Sequence, residues 1–464
     1  MERLDLIVRG GSVVLPGGVT KADIGIKNGK IAAIAENLNA EAEQEWDAAG
    51  RHVLPGMIDV HVHFSEPGRE HWEGFTTGSA MMAAGGCTTF FDMPLNGIPS
   101  TVTEEALLDK ARLGGEKSIV DFGLWGGLVP GNEDDLQPLA ESGVIGFKAF
   151  LSTTGNKEFE AVDDMTLLTG MKKIAALGKI LALHSESAAI TNWLKEEKEK
   201  TGLFSADDYL ETRPIIAEVE AVERALYYSE ITGCALHFVH ISSAAAVAKI
   251  EAAKARGMDV SVETCAHYLL FNHDDLREKG TIAKCAPPLR EADEQQRLIA
   301  LLADNKFDML SSDHSPCPYD MKDPKDFNLF QAWGGISGGQ FTLLSALETA
   351  LAQNIPLEKV AAWTASNPAA RFGLSDRKGT IAVGLDADLA IVDLNEAFTV
   401  TEDNYYAKHK QTLYMGHTFP CSVTGTIVRG EIVVRGGEVT ASQPTGSWQK
   451  PAGLGAAAEE LSAT

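Results

Sequence analysis

His61 and His63 are separated by one residue, so on a β-strand both imidazoles leave the same face while Val60, Val62 and Phe64 leave the other. Neutral imidazole is the commonest protein ligand for zinc-like cations, and two aimed at one point make a metal-binding pair. Four more ionisable residues lie at the ends of apolar runs: Lys148 in Gly146-Phe147-Lys148-Ala149-Phe150, His184, His240, and Asp313 in Ser311-Ser312-Asp313-His314. Any one of them also reads as a packed polar residue. Together they offer four imidazoles, a carboxylate and an amine. That set would hold two divalent cations weakly without a further bridging anion, and an ammonium among them would repel both. A lysine in an apolar surround beside cations favours its neutral amine, which is nucleophilic enough to capture carbon dioxide as a carbamate. Lys148 carboxylated in this way would supply two oxygens where two metals need a bridge. Zinc, cobalt and manganese all accept such ligands.

These residues need a scaffold that gathers strand ends. Short β-branched or apolar runs at 56–64, 87–93, 119–125, 145–150, 180–185, 235–241, 259–267 and 308–314 alternate with amphipathic stretches such as 104–113, 163–177, 215–232 and 294–303. Eight such units predict a distorted (β/α)8 TIM-like barrel over residues 53–375, with the ionisable residues on the rim where barrel enzymes place their sites. An open doubly wound sheet is the competing architecture. Residues 1–52 and 376–440 alternate apolar and polar positions between Gly-rich turns. Both chain ends are expected to fold into one small β-sandwich domain beside the barrel. Residues 441–464, rich in Pro, Gly and Ala, are expected to be a loosely ordered tail.

Composition narrows the function. Of 464 residues, 40 are Lys or Arg and 65 Asp or Glu, a formal charge of −25 that excludes nucleic-acid or anionic-membrane binding driven by bulk charge. Charges among residues 1–7 break up any signal-peptide core, and no run of about 18 apolar residues occurs. A cytoplasmic protein is expected. Six scattered cysteines without a CxxC pair suit reduced, buried thiols better than a disulfide framework.

At these residues the sequence resembles the amidohydrolase superfamily, specifically its cyclic amidohydrolases and most closely the allantoinase family. The resemblance covers nearly the whole chain. It implies that His61 and His63 hold one metal, that His184 and His240 hold a second, that carboxylated Lys148 bridges them, and that Asp313 both ligates and moves the proton. It further implies two divalent cations per subunit, zinc foremost, and a homo-oligomer, tetramer or dimer. Departures select the member. Ser65 stands where dihydroorotases carry Arg for the substrate carboxylate, and Thr153 where hydantoinases and dihydropyrimidinases carry Tyr. The blocks Ser65-Glu66-Pro67-Gly68-Arg69-Glu70-His71-Trp72-Glu73-Gly74, Met93-Pro94-Leu95-Asn96 and Ala332-Trp333-Gly334-Gly335-Ile336-Ser337-Gly338 are similar to those of allantoinases.

The activity so implied is metal-dependent opening of the ring of allantoin to allantoate, with Asp313 taking the proton of a metal-activated water and returning it to the departing nitrogen. A neutral polar ring needs hydrogen bonds rather than a charged clamp. The resemblance points to backbone groups near Ala286 and Gly334 and to the side chains of Asn96, Ser152 and Ser315. Arg69 and Trp72 are candidates to cover the pocket, and equally a surface ion pair and a packing residue. His71, His237, His267 and His314 receive no role. Another cyclic amidohydrolase is the alternative, and a non-catalytic assembly protein on the same fold a distant one.

Overall fold

A computed structural model describes residues 3–452. Its central strands are Met57–Val62, Cys87–Asp92, Asp121–Leu124 with its continuation Gly126–Gly127, Phe147–Phe150, Ile180–His184, Ala235–Phe238, Val260–Cys265 and Met309–Ser311. Each pairs in parallel with the next. The last returns to the first through a parallel bridge between Val62 and His314, and the His63 N–H donates to the His314 carbonyl at 2.8 Å. The ring is therefore closed. Met57–Val62, Cys87–Asp92 and Val260–Cys265 are buried at every position, as strands covered by helices outside and side chains inside must be.

The covering helices begin where the sequence supplies caps. Thr103 accepts the Ala106 N–H to start Glu104–Lys117, with Glu104 and Glu105 against the positive end of the helix. Asp163 does the same for Asp164–Ala176, accepting the Thr166 N–H at 2.7 Å. Ile215–Thr232 and Ala292–Ala303 complete the four helices expected from periodicity.

The two chain ends join in one nine-stranded sheet. Its order is Glu438–Val439, Glu431–Arg435, Ser422–Val428, Leu389–Asp393, His52–Pro55, Leu4–Leu15, Gly18–Lys27 and Lys30–Ala35, with Ala42–Asp47 also paired to Leu4–Leu15. The ends meet where Leu389–Asp393 runs antiparallel to His52–Pro55. This sheet closes over its own core of Leu6, Val8, Ile24, Trp46, Leu389, Ile391 and Ile427. It takes in residues 53–55, which the sequence reading gave to the barrel.

The tail differs more. Residues 445–452 are hydrogen-bonded rather than loose: the Phe122 N–H donates to Ser447 O at 3.1 Å, the Gln449 N–H to Phe122 O at 2.7 Å, and the Ala452 N–H to Gly373 O at 2.8 Å. Backbone pairing asks for no apolar pattern, so Pro, Gly and Ala content concealed it. The rest of the expected tail, 453–464, lies outside the described residues.

Barrel, end sheet and tail are clasped at one buried point. The Lys378 ammonium, 1% exposed, lies 2.7 Å from Asp121, 2.6 Å from Asp388 and 3.2 Å from Asp386. Arg429 joins Asp121 at 2.5 Å, and Asp121 accepts the Ser447 N–H at 2.8 Å. Three carboxylates this close could hold a metal, but here the lysine supplies the cation. Lys378→Met should strand the buried carboxylates and cost about 3 to 5 kcal/mol, read as a lower urea midpoint. Lys30, half-exposed and 3.0 Å from Asp386, should tolerate the same change with little effect. Equal midpoints for the Lys378 variant and the unaltered protein would remove the clasp from the account.

Candidate metal centre and substrate pocket

His61 is on the first barrel strand and His63 just beyond it; Lys148, His184, His240 and Asp313 are on, or just past, the ends of the fourth, fifth, sixth and eighth. The barrel brings all six to its rim. His61 Nε2 and His63 Nε2 lie 3.3 and 3.2 Å from Asp313 Oδ1. The ligand atoms of these three fall within 4.8 Å of one another, close enough to share one cation. The His240 ring centroid is 5.4 Å from that of His61 and 4.6 Å from that of His184. Lys148 Nζ sits 5.0 Å from the Phe150 ring centre, fully buried, with no hydrogen-bond partner among the described residues.

Burial controls the charge states. It drives the Lys148 amine down to about 7 against the pull of Glu263 and Asp313. It takes His63 down to about 4 despite Asp313, and it lowers His184 and His240, an effect to which Lys148 adds at both. Burial pushes Asp313 up, but His61 and His63 outweigh it and hold the carboxyl at about 2. Near neutral pH His63, His184 and His240 are neutral imidazoles, Asp313 is an ionised carboxylate and Lys148 is an amine with a large unprotonated fraction. That is a donor set for divalent cations, with a buried amine beside it that has no hydrogen-bond partner among the described residues.

Backbone strain collects here. His240 has φ 38° and Asp313 φ 44°, both left-handed, as are Asn96 at 74° and Ser65 at 61°. Each such residue costs about 1–3 kcal/mol and persists only where its surroundings fix it. Neighbours lock the rings further. Glu263 Oε1 is 2.6 Å from His61 Nδ1, and Glu186 Oε2 is 2.8 Å from His184 Nε2, leaving Nδ1 as the free nitrogen of that ring. Arg213 pairs with Glu186, which is held down to about 2: burial raises it, and Arg213 and His184 outweigh burial.

Above the centre opens a cavity of about 830 Å³, within the range of small-molecule sites. His61, His63, His184, His240 and Asp313 form its floor, and all five expected substrate residues, Asn96, Ser152, Ala286, Ser315 and Gly334, line it. Asn96 Nδ2 lies 3.4 Å from His63 Nδ1. Trp333 donates to the Ser315 carbonyl at 3.1 Å, and a Cβ on Gly335 would meet that carbonyl at 2.5 Å, so only glycine lets this loop approach. Arg69 lies over Trp72, 5.0 Å from its ring centre, and Trp72 packs edge-on against Trp333 at 4.8 Å; all three line the wall. His314 turns away toward Glu73, 3.3 Å from its carboxylate.

Residues 52–433 match the sequence profile described as the Amidohydrolase family. The chain belongs to that family. Among its relatives, the allantoinase of Bacillus velezensis is 54% identical over 96% of this chain and 98% of its own length. The allantoinase of Deinococcus radiodurans is 49% identical over 97% of this chain and 100% of its own. Of solved structures, the L-hydantoinase (dihydropyrimidinase) of Arthrobacter aurescens superposes with a TM-score of 0.93 at 34% identity, covering 96% of this chain and all of that one. This amidohydrolase also carries residues the sequence reading passed over. Glu263 and Glu186 were overlooked and His237 had no role, although an ionisable residue inside an apolar parallel strand, as in Val260-Ser261-Val262-Glu263-Thr264-Cys265, was a legible signal.

Proposed function

We propose that this amidohydrolase opens the ring of allantoin with water to give allantoate, using two divalent cations, zinc foremost, held by His61, His63, carboxylated Lys148, His184, His240 and Asp313. The observation that carries the reading is the 54% identity to an allantoinase over 96% of the chain. Bound there, the cations would lower the pKa of water and polarise a ring carbonyl. The protein does the rest. Asp313, ionised and at the cavity floor, takes the proton of the attacking water and hands it to the departing ring nitrogen. Asn96, Ser152, Ser315 and backbone groups at Ala286 and Gly334 orient the neutral ring, while Trp72 and Trp333 limit the access of bulk water. We also place the enzyme in the cytoplasm as a homo-oligomer, tetramer or dimer. Six buried, unpaired cysteines support the compartment, and among the described residues no helix is long and apolar enough to cross a membrane.

The likeness to an L-hydantoinase (dihydropyrimidinase) supports a second reading, hydrolysis of other hydantoins or of dihydropyrimidines. Against it, Thr153 lies at the pocket wall, engaged with Asn192 at 3.0 Å, and supplies no phenol. The deciding experiment is racemic allantoin assayed beside hydantoin, dihydrouracil and dihydroorotate. Allantoin should lead in kcat/KM by at least about tenfold, roughly 1.4 kcal/mol of transition-state preference. A lead for hydantoin or dihydrouracil would replace the proposal with the second reading.

A further inference from the structure

Glu263 stands on the seventh barrel strand, fully buried, with three groups converging on it. Oε1 is 2.6 Å from His61 Nδ1 and accepts the His240 backbone N–H at 3.3 Å, while Oε2 is 3.1 Å from His237 Nε2. On the far side of its ring, His237 Nδ1 is 2.9 Å from Ser261 Oγ.

Oε1 already accepts the His240 N–H, and a carboxylate accepting at both oxygens places the facing protons on His61 Nδ1 and His237 Nε2. Burial keeps His237 neutral against Glu263, so its Nδ1 accepts and the Ser261 hydroxyl donates. The ring is also packed, with Trp125 stacked on it at 6.4 Å and 11° and Phe372 edge-on at 5.5 Å, while the hydrogen bonds at its two nitrogens set the tautomer. With Nδ1 turned to Glu263, Nε2 is the ring nitrogen of His61 that faces Asp313 Oδ1, 3.3 Å away, and these two atoms and His63 lie close enough to share one cation.

We infer that Glu263, backed by His237 and Ser261, is the positioning residue that commits His61 to offering Nε2 to a metal ion. The inference rests on the reading of the rim as a metal centre. Glutamine at 263 would place an amide N–H against one imidazole and release the tautomer, and loss of such a support lowers metal affinity by roughly 10 to 100-fold.

The test measures Zn²⁺ affinity by competition with a chromophoric chelator, together with the visible spectrum of the Co²⁺-loaded protein. Glu263→Gln should weaken Zn²⁺ binding by roughly 10 to 100-fold and shift the Co²⁺ bands, and His237→Asn should do the same to a smaller degree. Phe372→Leu loosens the same packing without touching the pair; it should lower the melting temperature and leave affinity unchanged. Wild-type affinity and spectrum in Glu263→Gln would overturn the inference, and so would a loss in Phe372→Leu equal to that in Glu263→Gln. Should Glu263→Gln not fold, unchanged binding in His237→Asn overturns it instead. A wild-type chain that binds no Zn²⁺ above background is a distinct result, which removes the metal centre and this inference together.

Discussion

Asp313→Asn is expected to lower kcat by about 10⁴-fold, close to 5.5 kcal/mol of transition-state stabilisation, with much smaller effects on KM and metal content. The amide keeps one oxygen toward His61 and His63, which lie 3.3 and 3.2 Å from the present carboxylate, so ligation largely survives. What disappears is a group able to take a proton and return it. The left-handed backbone at Asp313, φ 44°, favours Asn as well as Asp among non-glycine residues, so the variant should fold with the side chain still facing the cavity. Steady-state kinetics beside metal analysis by mass spectrometry decides. Near-normal turnover in a fully loaded variant would take the proton transfer away from Asp313.

Lys148→Met should abolish turnover and at least one bound metal per subunit, yet leave the metal-free fold as stable as before or more so. The amine is fully buried and has no hydrogen-bond partner among the described residues, and an apolar side chain of like length relieves that cost. The sign with pH follows from its pKa of about 7 in the fold against 10.5 when exposed. Between those values the unfolded chain carries a proton that the fold does not, so metal-free wild type should gain stability on the Met variant as pH rises from 7 to 10.5. Its disadvantage is complete below pH 7. Growth or incubation with ¹³C-bicarbonate should give a carbamate carbon signal in the loaded wild type that Lys148→Met lacks. A metal-loaded, active Met variant would remove the bridge from the proposal.

The rim was legible because parallel strands buried on both faces leave few polar residues, and those few stand out. His61, His63, Lys148, His184, His240 and Asp313 each interrupt or end an apolar run, and their convergence needed only the barrel. Their supports were harder to read. Arg213 reaches Glu186 from a short link between two helices, Ala206–Thr212 and Ile215–Thr232, where no periodicity announces it. Glu263 and His237 face each other across neighbouring strands only in the register that sets His237 opposite Ser261, and register is a property of the assembled sheet. The tail was misjudged for a related reason, since its contacts at Phe122 run through main-chain atoms that every residue type shares.

The docking of Ser447 on Asp121 joins positions 326 residues apart. During synthesis the third barrel strand must leave the ribosome long before the segment that covers its flank exists, and the Lys378 cation that neutralises Asp121 also arrives late. Nascent chains of this protein should therefore present an incomplete barrel for most of their elongation, a natural substrate for chaperones that hold exposed strand edges apart. Expression hosts rich in such chaperones should yield more native enzyme than transcription rate alone would suggest.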